Sequence, residues 1–87
     1  MSENTRIALV GIIVEDISVY QTVNELLHEY SDYIVGRFGI PYRQKGVSIM
    51  SVVVDAPHNT ISTLSGKLGM IKGISVKTTY TSEVKGE

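Results

Sequence analysis

The nine residues Arg6–Val14, reading Arg-Ile-Ala-Leu-Val-Gly-Ile-Ile-Val, constrain this chain more than any other stretch. They are rich in β-branched residues and too short for a stable helix, which predicts a strand. That strand does not alternate. Ala8-Leu9-Val10 and Ile12-Ile13-Val14 offer apolar groups to both faces, and Val47–Asp55 does the same through Ile49-Met50 and Val52-Val53-Val54. An antiparallel strand with one wet face should alternate apolar with polar residues. Two strands that break this rule ask for cover on both sides.

The remaining elements arrange themselves around these two. Ser18-Val19-Tyr20-Gln21 has the spacing of a capping box. Ile17, Tyr20, Val23, Leu26 or Leu27, and Tyr30 follow at helical intervals, so a helix is expected to about Tyr30. Ile34–Tyr42 predicts a second strand, interrupted by Gly36 and Gly39 and demoted at its end to an edge or bulge by Pro41. Gln44-Lys45-Gly46 turns the chain into Val47–Asp55, completing a hairpin. Ala56-Pro57 is expected to open a second helix with the stripe Ile61, Leu64, Leu68, and Gly69 to end it in the left-handed conformation. Ile74, Val76, Thr78 and Tyr80 alternate with polar neighbours as a half-buried last strand, and the polar tail after Thr81 is expected to fray.

The order is β-α-β-β-α-β, an α+β ferredoxin-like plan with a four-stranded antiparallel sheet and two helices on one face. Its 87 residues make one domain, 1–87, with a core of about 6–80. A chain this short cannot roof both faces of its own sheet. The second cover is therefore expected from another chain, making a dimer or tetramer through the sheet face or the strand edges.

Composition excludes several functions. The net charge of −1 gives no broad positive field for nucleic acid, so direct nucleic-acid binding is not expected. The chain has no cysteine, which removes disulfides, thiolate zinc sites and iron–sulfur ligation, and fits a cytoplasmic protein. The N-terminus reads neither as a signal peptide nor as a membrane span. No nucleophile sits beside a base in the sequence, so an enzyme is not expected, nor is a cofactor.

Charge is unevenly distributed. Residues 15–32 hold Glu15, Asp16, Glu25, Glu29 and Asp32 without a Lys or Arg, while residues 33–54 hold Arg37, Arg43 and Lys45 without an acid. Ordinary solvated faces explain this. An anion-binding or protein-docking hairpin around Tyr42, Arg43 and Lys45 is the functional alternative. His28 and His58 are the two histidines, and a metal site would need them to meet across a subunit interface with Asp55 or Glu29; an unrelated exposed pair is the simpler reading. Gly36-Arg37-Phe38-Gly39 and Gly66-Lys67-Leu68-Gly69 read as structural glycines, since neither has the surroundings of a phosphate cradle.

Three segments carry a family resemblance: Val10-Gly11-Ile12-Ile13-Val14-Glu15-Asp16, Gly36-Arg37-Phe38-Gly39-Ile40-Pro41-Tyr42-Arg43, and the run Leu64–Lys77. Together they resemble the iron-only hydrogenase system regulators, whose domain is ACT-like and similar in fold to the ligand-sensing domain of the nickel-responsive repressor. The resemblance implies oligomerisation and a regulatory, non-enzymatic role in hydrogenase maturation or expression. That repressor's metal site uses His and Cys ligands, which this chain does not match, so no metal is expected. The loop Glu15-Asp16-Ile17-Ser18 lacks the glycine that amino-acid-binding ACT domains place there. A small-molecule effector is expected near Glu15, Asp16, Arg37, Tyr42 and Arg43 at a subunit interface. A module that docks on a maturation or transcription partner and binds no small molecule is the alternative.

Overall fold

Alternation settles which side of the sheet becomes the core. Along β1 (Arg6–Val14), Ala8, Val10, Ile12 and Val14 are buried while Ile7, Leu9 and Ile13 stand exposed. β3 (Val47–Ala56) repeats the pattern, burying Ser48, Met50, Val52, Val54 and Ala56. Successive side chains of a strand point to opposite faces. The apolar residues that break alternation in sequence therefore lie on a second face, which no element among the described residues covers.

The computed structural model describes residues 4–81. A three-residue 3₁₀ turn, Ile17–Val19, follows β1 and leads into α1 (Tyr20–Glu29). β2 (Ile34–Tyr42) and β3 form the hairpin, joined by a 3₁₀ turn at Arg43–Lys45 that closes on left-handed Gly46 (φ 69°). α2 (His58–Gly69) and β4 (Ile74–Tyr80) complete the described chain. The strand order is β2-β3-β1-β4, with every neighbouring pair antiparallel. This is the ferredoxin-like βαββαβ plan, with β1 and β3 central and β2 and β4 at the edges.

One core cluster joins the buried residues of β1 and β3 to Val23 and Leu27 of α1 and to Ile61, Leu64 and Leu68 of α2. Both helices therefore lie on the same face. The spacing of those residues, four apart in α1 and three then four in α2, puts each set on one helical stripe.

Three local expectations are corrected. Ser18 does not cap α1: its N–H and hydroxyl both donate to Asp16 Oδ1, at 3.0 and 2.7 Å. Asp16 thus caps the 3₁₀ turn as a side-chain turn mimic, and α1 starts two residues after Ser18 with no side-chain cap. Ala56 is the last residue of β3, and Pro57 is the N-cap of α2, its carbonyl accepting from Thr60 and Ile61. Gly69 is not left-handed, because the chain continues through Met70 and Ile71 with N–H bonds back to Lys67 and Leu68. The reversal falls at Gly73, φ 95°. The polar tail lies outside the described residues beyond Thr81.

Candidate functional site

Two features compete as a site: the loop at the end of β1, and the open face of the sheet. In the loop, the carbonyl of Gly73 accepts from the N–H groups of both Glu15 (2.8 Å) and Asp16 (2.9 Å), tying the exit of β1 to the entry of β4. A Cβ added at Gly73 would lie 2.6 Å from the Cβ of Asp16, in a backbone conformation that side chains rarely adopt. Gly73→Ala is accordingly expected to lower stability by about 1–3 kcal/mol, read as a fall in the thermal midpoint.

The acidic groups of the loop are already engaged. Glu15 Oε2 accepts from Ser75 Oγ at 2.9 Å, and Ser18 holds Asp16. The side-chain and backbone hydrogen bonds from Ser18 keep the Asp16 carboxyl below its ordinary value of 3.8. A carboxylate depressed by folding stabilises the fold above its unfolded pKa, and that contribution is lost as pH falls through the folded value. An NMR titration of the Asp16 carboxyl is therefore expected to give a midpoint below 3.8; a midpoint at or above it would remove Ser18's role.

The basic candidates do not all converge on this loop. Tyr42 ends β2 and Arg43 opens the turn after it, at the same end of the sheet as Glu15 and Asp16, but β3 separates β2 from β1, a gap of about 10 Å. Arg37 sits in mid-strand opposite Val52 on the helix-covered face, and its guanidinium donates to Asn24 Oδ1 of α1. His28 is exposed in the last turn of α1. His58 begins α2, its ring tilted against Tyr80 at 5.2 Å and its Nε2 3.4 Å from Ser62 Oγ. Among the described residues, no three His, Cys, Asp or Glu side chains cluster to hold a metal ion, and no helix is long and apolar enough to cross a membrane.

The open face is the larger feature. Strand pairing places Phe38, Ile40 and Tyr42 of β2, Ile49 and Val53 of β3, and Ile7, Leu9 and Ile13 of β1 together on it. Phe38 is 56% exposed and Leu9 46%. Nine residues at ~3.3 Å and four strands at ~4.8 Å make a face of roughly 20 by 30 Å. Exposed apolar patches of this extent mark interaction surfaces. At its centre is a depression of about 340 Å³, lined by Gly11, Ile13, Ile49, Ser51, Ser75 and Lys77 among others. The sequence singles out Gly11 and Lys77 only as members of two separate motifs, not as neighbours in one site. A glycine amid an apolar strand is the signal that could have found the depression.

Known proteins share this architecture. The family model described as "TM1266-like: Iron-only hydrogenase system regulator, putative" matches residues 6–78. An uncharacterised protein from Thermotoga maritima, TM1266, is 40% identical, with a TM-score of 0.84 over 88% of this chain and 98% of that one. A formyltetrahydrofolate deformylase from Pseudomonas putida KT2440 is 17% identical, with a TM-score of 0.56 over 87% of this chain. The match spans 28% of the deformylase, so the likeness is one of fold. No curated protein matches the chain.

Proposed function

The chain belongs to the TM1266-like family of iron-only hydrogenase system regulators, and on that footing we propose that it acts as a non-enzymatic, ligand-sensing regulator assembled from copies of itself across the open sheet face. The observation that carries this reading is the apolar face itself. Ile7, Leu9, Ile13, Phe38, Ile40 and Ile49 are all exposed there. A single chain that leaves this much apolar surface in water gives up ~25 cal/mol for every Å² a partner could cover. The face is about 600 Å² in projection, and a corrugated side-chain surface exceeds its projection. That approaches the ~800 Å² per partner of a standard stable interface.

A second copy is the favoured occupant because the face can meet itself. Apolar residues of β1, β2 and β3 make up most of it, while Asp55 lies toward one end and Thr79 on the edge strand β4, the largely apolar surface with polar margins that interfaces show. Self-pairing needs only one such surface, as in two-fold dimers. The reading is tested in cells that carry an iron-only hydrogenase and lack this chain. Hydrogenase activity or transcript level is expected to change, and to be restored by the native chain but not by a variant with a charge on the open face. Unchanged hydrogenase activity and transcripts would overturn it.

A further inference from the structure

Gly11 stands in the middle of β1, a central strand, where a glycine weakens a sheet. Nothing in the single chain requires it. Its φ is not positive, and an added Cβ would meet only the Lys77 carbonyl, at 3.9 Å. The missing side chain instead leaves open the depression that Gly11 lines together with Ser51, its partner on β3, and the neighbouring cross-strand pair Ile13 and Ile49. An unneeded glycine in a strand marks a place where a ligand or another backbone comes close. The volume of about 340 Å³ falls at the small end of ligand sites, which are mostly apolar with a few polar groups that fix orientation.

Lys77, directly opposite Gly11 in the β1–β4 pairing, is the cation at this depression. Once a second copy covers the face, its ammonium is drawn out of water and needs an anion. The hydroxyl of Ser51 lines the same space. Glu15, whose carboxylate accepts from the lining residue Ser75, disfavours a second negative charge on the ligand.

Resting on the assembly reading above, we propose that the depression over Gly11 binds a small organic monocarboxylate, its apolar body over Gly11 and against the Ile13–Ile49 pair and its carboxylate against Lys77, with the second copy as its roof. The test is an amide-resolved NMR titration of the native protein with hexanoate, with the neutral hexanamide and the doubly charged adipate as controls, and with mass measured by light scattering on the same samples. Saturable shifts at Gly11, Ser51 and Lys77 are expected with millimolar hexanoate, and weaker or none with the controls. Lys77→Gln is expected to weaken binding by roughly tenfold or more. Gly11→Val should fill the depression and abolish binding with the fold intact. No saturable shift in a protein with the mass of an assembly would overturn the ligand and leave the assembly standing. Equal binding of hexanamide would overturn the role of Lys77. A single-chain mass would overturn the assembly reading itself, independently of the titration.

Discussion

Leu9→Asp is expected to reduce the assembled protein to single chains that remain folded. Leu9 lies on the open face opposite Val53 and is 46% exposed in the single chain, so the fold loses little core packing when it changes. The assembly loses much more. Removing a leucine from an interface costs roughly 2 kcal/mol, and burying an unpaired carboxylate costs several more. A two-fold interface contains the residue twice, so the dissociation constant should rise by about ten-thousand-fold or more. Sedimentation measurements on the native and variant chains read the change in mass, and circular dichroism reads the fold. Because Asp is a poor strand former, Leu9→Thr serves as the companion variant, with a β-branched side chain that keeps strand propensity while lowering apolarity. Native mass in both variants would mean that another surface holds the copies together.

The second large effect falls one layer away, on the other side of the sheet. Leu27→Ala is expected to destabilise the fold by about 2–5 kcal/mol, the range for truncating a buried leucine where the site cannot collapse. Leu27 is fully buried, and it shares with Val23 the task of seating α1 on the sheet. A domain of 87 residues has a total stability of about 4–13 kcal/mol, so this one change removes a large share. The thermal midpoint should fall by about 10 °C or more. Leu9→Ala, the same chemical change on the uncovered face, should barely move the midpoint of a dilute, dissociated sample. A similar loss at both positions would contradict the assignment of faces.

The two leucines also divide what the amino-acid order makes legible from what only folding reveals. Every strand is legible to within a residue, because β-branched runs bounded by Gly, Pro and polar turns leave few choices. The breach of alternation in β1 and β3 points to an open apolar face, and the pairing of Leu9 with Val53 and Ile13 with Ile49 places those residues there. What stays hidden is set by contacts that local patterns do not encode. Asp16 draws Ser18 away from the helix, and the left-handed glycine moves from Gly69 to Gly73 because Ile71 first packs against the core. Sequence also gathers Arg37 with Arg43 as neighbours of one hairpin, whereas the pleat turns Arg37 to the helix side and into the hold of Asn24. The depression needs β4 set beside β1, which brings Lys77 across from Gly11, far earlier in the chain.

The most direct test is an isotope-filtered NMR experiment on a mixture of two differently labelled preparations of the native chain, which records contacts between copies and none within them. Cross-peaks linking the methyl groups of Leu9, Ile13 and Ile49 and the ring of Phe38 in one copy to the same group of residues in another are the expected result. Cross-peaks confined to residues of α1 and α2, or none at all, would contradict assembly through the open sheet face.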